Sequence, residues 1–283
     1  MTTWYLNREL RTEAGAVRWS TFGTGEPIVL LHGTPSSSLI WKDIAHGLAL
    51  TRQVYVWDML GFGQSDKNVG QNVGLAKQAE IFVELLDEWG LRSPSVVAHD
   101  VGGAVALRAT LLGGRDFRDL TLVNAVSVDS WSSGGFFSAV KNNTAAFSAL
   151  PEYAHRALVS SKISDGSYVG LSAGVLDTFV DPWTGSAGQG AFYRQYEHAD
   201  ETDTDEFQER LGDLTAPTTI LWGRHDRWLD ADYALRVRDR LPHTDFHWIE
   251  DSGHMVQHDA PALLLAHLLA PPGFPAQLQS RDK

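Results

Sequence analysis

The strongest structural signal in this sequence is Ser95-Val96-Val97-Ala98-His99-Asp100-Val101-Gly102-Gly103-Ala104. Its first half is a continuous apolar run typical of a buried strand, and its second half begins a helix-forming segment. Asp100 stands at the change, with Ala98 two positions before it and Gly102 two positions after it. A sharp, strained turn from strand to helix needs small residues at both of these places. The pattern therefore predicts a nucleophile elbow with a carboxylate at its tip.

A carboxylate in this position has different chemistry from the serine that most such turns carry. Asp100 is ionised at neutral pH, so no neighbouring base is needed to activate it. Its attack on an sp3 carbon with a leaving group would form an alkyl ester, which water then hydrolyses at the Asp100 carbonyl. Expected substrates are epoxides or alkyl halides. The alternative is that Asp100 only caps the following helix, because Asp is a common N-cap before an apolar periodic run.

Composition limits the classes of protein to which this chain can belong. Its 283 residues are enough for one large domain with an inserted lid, or for two modest domains. The net charge of −12 argues against nucleic acid or an anionic membrane as the main partner. No cysteine is present, which excludes disulfides, thiolate metal sites and a cysteine nucleophile. The first residues show no secretion signal and no run reaches membrane-spanning length, so we expect a soluble, cytoplasmic protein.

Short β-rich runs alternate with helical patterns along most of the chain. This alternation predicts an α/β fold, a mostly parallel central sheet with helices on both faces. Two strands before residue 22 are expected at an antiparallel edge. A helix over Gln78–Trp89 should stop at Gly90, and Asp259 reads as the cap of a last helix that has Pro261 in its first turn. The other candidate strands are Pro27–His32, Gln53–Asp58, Ser95–His99, Leu120–Ala125, Thr218–Trp222 and Asp245–Ile249.

The alternation breaks down in the middle of the chain. Residues 127–212 are rich in Ser, Gly and aromatic residues, with an acidic stretch over Asp200–Glu206. We expect this segment to form a mainly helical cap, inserted into a core domain made of residues 1–126 and 213–283. Such a cap would cover a substrate pocket at one edge of the sheet.

Two further residues complete a catalytic pattern with Asp100. Asp226 follows a predicted strand in a Gly-x-x-Asp turn, and His254 follows the last predicted strand in a Gly-His turn. Their chain order is nucleophile, acid, base, and all three lie where parallel sheets place active sites. Asp226 would orient His254, which would take a proton from water. His254 could instead be a surface or packing histidine, and three other aspartates compete with Asp226: Asp129, Asp230 and Asp251.

A second turn supplies candidate hydrogen-bond donors. His32-Gly33-Thr34-Pro35 follows an apolar strand and turns sharply. The backbone N–H groups of Thr34 and Val101 are expected to form an oxyanion hole for the tetrahedral intermediate on Asp100. His32 is read as a packing residue. The turn Asp58–Asp66 has two glycines but lacks the lysine of a phosphate-binding loop, so it is read as structural.

With these motifs the chain resembles the α/β-hydrolase superfamily, and within it the branch with an aspartate nucleophile. That branch includes epoxide hydrolases, haloalkane dehalogenases and fluoroacetate dehalogenases. Directly after the nucleophile, haloalkane dehalogenases and epoxide hydrolases commonly carry Trp and fluoroacetate dehalogenases carry Arg, whereas this chain has Val101. Thr34 stands where many haloalkane dehalogenases have an asparagine that donates to halide. The chemistry needs no metal or organic cofactor.

Epoxide opening needs a proton donor for the leaving oxygen, and in epoxide hydrolases a cap tyrosine usually supplies it. The segment Ala191-Phe192-Tyr193-Arg194 resembles the aromatic-Tyr-Arg motif that carries this tyrosine. Tyr193 is therefore the predicted donor and Tyr153 a second candidate, while Tyr196 and Tyr168 stay open. A Tyr-Arg pair also occurs in fluoroacetate dehalogenases. The alternative is a cap helix whose aromatic stripe only packs downward.

The leading hypothesis is an epoxide hydrolase that acts on a small apolar or aromatic substrate and yields a vicinal diol. Its nearest rival is a dehalogenase that forms the same ester on Asp100 and holds the halide with Trp131 or Trp183 from the cap. A third reading, from another class, is a non-catalytic protein of the same fold that binds a small ligand. The protein is expected as a monomer or a homodimer.

Overall fold

The computed structural model describes residues 4–129, 131–132, 135–241 and 244–270. Within these residues, eight strands form one sheet: β1 Arg8–Thr12, β2 Gly15–Phe22, β3 Glu26–Leu31, β4 Arg52–Trp57, β5 Ser95–Asp100, β6 Asp119–Ala125, β7 Thr218–Gly223 and β8 Thr244–Ile249. Their spatial order is β1-β2-β4-β3-β5-β6-β7-β8. β2 is antiparallel to both β1 and β4, and all other neighbours are parallel.

This sheet confirms the fold class expected from the sequence. The six predicted parallel strands are present with ends shifted by at most one residue, and two antiparallel strands lie at the edge. β5 lies in the interior of the sheet with all six of its residues buried. A parallel strand covered by helices on both faces has no solvent side, which explains why the β5 sequence is apolar without alternation.

Helices outside the middle segment cover the two faces of the sheet. In the helix predicted over Gln78–Trp89, the apolar stripe Ile81, Phe82, Leu85 and Leu86 is buried. Gly90 follows at φ +67, a backbone conformation that favours glycine, and ends the helix. The helices of this group are α1 Lys42–Leu48, α2 Leu75–Glu88, α3 Val101–Leu111, α10 Ala231–Arg240, α11 Val256–Asp259 and α12 Pro261–Leu269, and a 3-10 turn spans Ser38–Trp41.

Between β6 and β7 the described chain contains helices and turns and no strand, as the sequence predicts for this region. We call residues 127–212 the cap; its limits as a domain, and the extension of the core to residues 1–3 and 271–283, stay predictions. None of the helices in the described residues is long and apolar enough to cross a bilayer. The cap helices are α4 Gly135–Lys141, α5 Thr144–Ser148, α6 Glu152–Asp165, α7 Ala173–Val180, α8 Gly185–Glu197 and α9 Thr202–Gln208, with 3-10 turns at Asp181–Trp183 and Leu211–Asp213.

Polar contacts join the cap to the core close to the turn after β3. The indole N–H of Trp183 donates to the Pro35 carbonyl at 2.8 Å, and the Thr34 hydroxyl donates to the Gln195 amide oxygen at 2.7 Å. Farther away, the guanidinium of Arg108 donates to the Asp203 carbonyl at 2.7 Å. The cap is therefore held over the carboxyl ends of the strands by specific hydrogen bonds as well as by apolar packing.

The last helix is capped differently from the sequence prediction. Pro261 occupies its first turn as predicted, but the N-cap residue is Ala260. The Asp259 carboxylate instead accepts the backbone N–H groups of Gly253 and Tyr168, both at 2.8 Å. Tyr168 is 91 positions from Asp259 in the chain, so a pattern that marks the start of a helix could not reveal this contact. Asp259 thus ties the turn before His254 to a loop of the cap.

Candidate active site

The turn between β5 and α3 has the geometry of a nucleophile elbow. Asp100 adopts φ +52 and ψ −128, a strained conformation for a residue with a side chain. The turn fits only because glycines follow: a Cβ atom at Gly102 would lie 2.5 Å from the His32 carbonyl oxygen, and one at Gly103 would lie 2.6 Å from the Ala125 Cβ. The Asp100 side chain makes no capping hydrogen bond to α3, which argues against the alternative that it is only an N-cap.

The Asp100 carboxylate is buried, with 6% of the residue exposed, and is held by backbone donors. The Thr34 N–H donates to Oδ1 at 2.7 Å, and the nearby Val101 N–H favours the ionised carboxylate and helps to lower its pKa. A Cβ atom at Gly33 would lie 2.3 Å from the Asp100 Cβ, so glycine is required for this approach. Burial alone would raise the pKa of Asp100, but the adjacent His254 and the N–H donors outweigh burial and hold the pKa below its ordinary value.

His254 lies between two carboxylates. Its Nδ1 is 2.8 Å from Oδ2 of Asp226, and its Nε2 is 3.4 Å from Oδ2 of Asp100. The second distance exceeds that of an ordinary hydrogen bond, so the contact is chiefly electrostatic. Burial alone would lower the pKa of His254, but attraction to Asp226 and Asp100 raises the pKa from 6.5 to about 9. The resting site therefore holds an imidazolium between two anions.

Both carboxylate oxygens of Asp226 accept hydrogen bonds. Oδ1 accepts the backbone N–H groups of Trp228 at 2.8 Å and Leu229 at 3.0 Å. Oδ2 accepts the Asn124 side-chain amide at 2.6 Å in addition to the His254 ring. These bonds fix the carboxylate, and through it the orientation of the imidazole. The three rival aspartates make other contacts: Asp230 lines the cavity but caps α10, Asp129 pairs with Arg236, and Asp251 lies in an exposed turn.

Two other histidines near the site have structural contacts. His99 Nε2 lies 2.9 Å from the His254 carbonyl, and because a carbonyl can only accept, this nitrogen carries the proton. Burial and the nearby His254 charge lower the pKa of His99 to about 4, so its ring is neutral. His32 Nε2 accepts the Met59 N–H at 2.9 Å, which links the turns after β3 and β4 and agrees with a packing role.

A cavity of about 460 Å³ lies above Asp100, between the core and the cap. Thr34, Asp100 and Val101 line the core side of this cavity. The cap contributes aromatic side chains and Lys162, and the most exposed wall carries charged side chains of both signs. The aromatic lining residues include Trp131, Phe136, Phe137, Tyr196, Trp228 and Tyr233, and the exposed charged ones are Asp165, Arg227, Asp230 and Arg236.

The structure corrects the choice of cap tyrosine. Tyr193 does not line the cavity, and its hydroxyl lies 2.8 Å from His155 Nδ1. The other nitrogen of His155 is 2.8 Å from the Trp183 carbonyl and must donate to it, so Nδ1 accepts the Tyr193 proton. Tyr193 therefore has no free proton for a substrate. Tyr153 is 80% exposed and points to solvent, so it is not a donor either.

Tyr196 is the cap tyrosine that lines the cavity with Asp100. It is fully buried, and its hydroxyl has no hydrogen-bond partner among the described residues. Burial first, and then the nearby Asp100 charge, raise the pKa of Tyr196, so the hydroxyl keeps its proton at neutral pH. A buried hydroxyl without a partner is unfavourable in the empty site and is available to a ligand.

The two tryptophans predicted to hold a halide are both occupied. Trp131 lines the cavity, but its indole N–H donates to the Thr204 hydroxyl at 3.2 Å. Trp183 does not line the large cavity, and its N–H donates to the Pro35 carbonyl. Trp131 can therefore supply apolar surface to a substrate, whereas Trp183 joins the cap to the core. Within residues 4–129, 131–132, 135–241 and 244–270, no group of three or more His, Asp or Glu side chains is placed to bind a metal ion.

Comparison with known families agrees with the sheet order and the elbow. A family model described as alpha/beta hydrolase fold matches residues 26–261, most of the chain. The chain belongs to the α/β-hydrolase fold family. A solved structure of an α/β-hydrolase fold protein from Burkholderia ambifaria is 39% identical, covers 95% of this chain and 98% of that chain, and superposes with a TM-score of 0.91.

Other relatives of this α/β-hydrolase have different described activities. A cis-3-alkyl-4-alkyloxetan-2-one decarboxylase from Shewanella oneidensis is 25% identical over 87% of this chain and 81% of its own length. The epoxide hydrolase CorEH is 22% identical with a TM-score of 0.73, covering 93% and 96% of the two chains. The haloalkane dehalogenase DatA from Agrobacterium tumefaciens C58 is 18% identical with a TM-score of 0.77, covering 92% and 94%. The last two likenesses establish the fold alone.

Several residues of this α/β-hydrolase site were missed by sequence reasoning. Asn124 binds Asp226 across 102 positions, and His99 binds the His254 backbone across 155 positions. Lys162 enters the cavity from α6. Asn124 and His99 lie at the carboxyl ends of predicted strands. This position predicts that they lie at the edge of the sheet that carries the site, but it does not predict their hydrogen-bond partners.

Proposed function

We propose that this protein hydrolyses epoxides to vicinal diols through an alkyl ester of Asp100. The observation that carries the proposal is the pairing of two groups in one buried cavity: an ionised carboxylate at the elbow and the unpartnered hydroxyl of Tyr196. A nucleophile and a proton donor facing the same space suit the opening of a strained ring, because the ring carbon is attacked while its oxygen is protonated.

In the first step, Asp100 attacks one carbon of the epoxide. Oδ1 is engaged by the Thr34 N–H, so Oδ2 is the oxygen that forms the new C–O bond. The ring C–O bond breaks with its electron pair on the oxygen, which takes the Tyr196 proton. The His254 imidazolium then returns a proton to the Tyr196 phenolate. Ester formation removes the Asp100 charge, and the pKa of His254 falls because one of its two neighbouring anions is lost.

In the second step, neutral His254 takes a proton from water as the water oxygen attacks the Asp100 carbonyl carbon. The tetrahedral oxyanion forms at Oδ1, which already accepts the Thr34 N–H, and the Val101 N–H is the second donor of the proposed oxyanion hole. Collapse releases the second alcohol as an alkoxide, which takes the proton from His254, and leaves Asp100 as a carboxylic acid. This acid gives its proton to His254, which restores the Asp100 carboxylate and the His254 imidazolium. One epoxide and one water give one diol, with no change in the protein. Asp226 keeps the imidazole oriented throughout.

Dehalogenation is the nearest alternative, because it uses the same ester. A halide leaving group needs polar hydrogens directed at it, and the indole N–H groups of Trp131 and Trp183 are both occupied. The Val101 side chain cannot donate. The Shewanella relative acts, by its name, on an oxetan-2-one, which like an epoxide is a strained oxygen ring. These observations favour a ring-oxygen leaving group over a halide.

Product analysis tests the choice of leaving group. The protein is incubated with styrene oxide, with 1-bromohexane and with a dialkyl oxetan-2-one, and diol, bromide and carbon dioxide are measured. We expect diol from the epoxide, and none from the variant Asp100→Asn. Bromide without diol would assign the dehalogenase activity, and carbon dioxide release without diol would assign the decarboxylase activity.

Trapping of the covalent ester distinguishes an enzyme from a non-catalytic binding protein. The variant His254→Gln should accumulate the ester and gain a mass equal to that of the substrate, because the base of the second step is absent. The double variant Asp100→Asn/His254→Gln is the matched control and should gain none. A pure binding protein would show no covalent mass gain in either variant.

A further inference from the structure

Lys162 brings a positive charge into the catalytic cavity. It lies on α6, and its Nζ is 3.4 Å from the centre of the Trp228 ring and 5.5 Å from that of Phe136. The Trp228 ring is in turn 4.6 Å from the His254 ring. The ammonium group is therefore separated from the catalytic imidazole by one aromatic ring, within the same cavity as Asp100.

The described residues provide no ion-pair partner for Lys162, unlike the other two cations of the cavity wall. Arg227 pairs with Asp165 at 3.1 Å, and Arg236 pairs with Asp129 at 3.4 Å. Asp165, the acidic residue of the cavity wall on the same helix as Lys162, also accepts the Trp228 indole N–H at 3.0 Å. Asp165 thus directs its ion pair and hydrogen bond to Arg227 and Trp228, and it affects Lys162 only as a nearby charge that raises the Lys162 pKa.

An unpaired lysine at this place is a cost to the free protein. The chain has a net charge of −12, so acidic partners for a lysine are abundant, yet Lys162 is only partly exposed and faces aromatic rings. Burial lowers the pKa of Lys162 to about 8, which leaves the group mostly protonated at neutral pH. The Trp228 face offsets part of the desolvation cost through a cation–π interaction, but no described residue accepts a hydrogen bond from the ammonium group.

We propose that Lys162 binds a carboxylate group of the substrate, so that the preferred substrates are epoxides that carry one carboxylate. The inference rests on the proposed function for its reactive group and goes beyond it in naming the substrate class. A single ammonium group beside an aromatic wall matches one negative charge attached to an apolar or aromatic body. A phosphate would require more donors than this wall offers.

Lys162 keeps its charge through both steps of the proposed reaction. Ester formation removes the negative charge of Asp100 and the positive charge of the His254 imidazolium together, and neither change involves Lys162. A substrate carboxylate can therefore remain beside Lys162 while the ester is formed and hydrolysed. Lys162 thus acts in binding and orientation, at a distance from the bonds that change.

Matched substrates test the proposal. Kinetics are measured with trans-3-phenylglycidate and with its primary amide, which has the same ring and shape without the charge. We expect the wild type to prefer the acid by about tenfold or more in kcat/KM, mainly through KM. Lys162→Met should lose this preference and leave turnover of the amide within about threefold. Lys162→Arg should retain much of the preference, because it keeps the charge.

Lys141→Met is the control, since Lys141 lies in the same cap and does not line the cavity. It should retain the preference for the acid. Equal activity of the wild type on both substrates, or an equal loss on both in Lys162→Met, would overturn the proposal. The melting temperature of each variant shows whether a loss reflects misfolding, and Lys162→Arg keeps the test decisive if Lys162→Met does not fold.

A binding measurement separates this inference from the proposed function. Calorimetry with 3-phenylpropanoate and 3-phenylpropanamide, which have no epoxide, should show tighter binding of the acid to the wild type and no difference with Lys162→Met. Selective acid binding without epoxide turnover would mean that the proposed reaction is wrong and the carboxylate site is right. Epoxide turnover without selective acid binding would mean the reverse.

Discussion

At the scale of single residues, the proposed chemistry depends on the electrostatic interaction of His254 with Asp100 and Asp226. In the proposed reaction, the imidazole is protonated beside the ionised Asp100 and becomes a base once Asp100 is alkylated. One histidine can thus stabilise the nucleophile in the first step and activate water in the second. No conformational change is needed, because formation of the ester itself changes the pKa of His254.

The role of Tyr196 can be tested against Tyr193 three positions earlier. Tyr196→Phe removes the proton donor, so ester formation from styrene oxide should slow by about 100-fold. Tyr193→Phe removes only the hydrogen bond to His155, so the rate should stay within a few-fold while stability falls by about 1 kcal/mol. Rapid-quench kinetics of ester formation distinguish the two. A slow Tyr193→Phe beside a normal Tyr196→Phe would restore the sequence-based choice.

Asn124 should act as a positioning residue for Asp226. Asn124→Ala removes the amide bonded to Oδ2 and leaves the buried Gly223 N–H without its acceptor. We expect a loss of about 1–3 kcal/mol in stability. The ester should also be hydrolysed about tenfold more slowly, because the imidazole is less well oriented. Ester formation should change less, so the ester should accumulate during turnover. Unchanged hydrolysis of the ester would mean that the other contacts of Asp226 are sufficient.

At the scale of elements, the site depends on the close approach of the turn after β3 to the elbow after β5. Gly33→Ala places a methyl group 2.3 Å from the Asp100 Cβ, so one of the two turns must move. The hydrogen bond from the Thr34 N–H to Asp100 should be lost, and epoxide turnover should fall by about 100-fold or more. Gly174→Ala, at an open position of α7, is the control and should retain activity. Normal turnover by Gly33→Ala would argue against the oxyanion hole.

Whether a site residue could be predicted from the sequence depends on the elements that position it. The sheet and the positions of Asp100, Asp226 and His254 could be predicted, because Asp100 directly follows an apolar strand and the other two residues lie in short turns after predicted strands. The cap tyrosine could not be predicted in this way. Tyr193 and Tyr196 are both buried on α8, and the difference between them is His155 on α6, which takes the Tyr193 proton. No local pattern encodes how two cap helices pack, so the choice depends on tertiary contacts.

At the scale of the whole molecule, the raised pKa of His254 links stability to pH. A group whose pKa is higher in the folded state stabilises the fold below its unfolded pKa of 6.5 and loses this contribution as pH rises through about 9. The contribution is on the order of 3 kcal/mol. The free energy of unfolding of the wild type should therefore fall, relative to His254→Gln, between these two pH values. Urea titrations at several pH values measure it, and parallel curves for the two proteins would contradict the charge assignment.

The covalent role of Asp100 is tested most directly by a single turnover in water labelled with heavy oxygen, with the protein in excess over styrene oxide. If Asp100 forms the ester, its own oxygen enters the diol and the labelled oxygen enters its carboxylate. We expect unlabelled diol, and a peptide containing Asp100 that is heavier by the mass difference of one oxygen. Labelled diol with an unlabelled Asp100 peptide would show that water attacks the epoxide directly, and would contradict the mechanism.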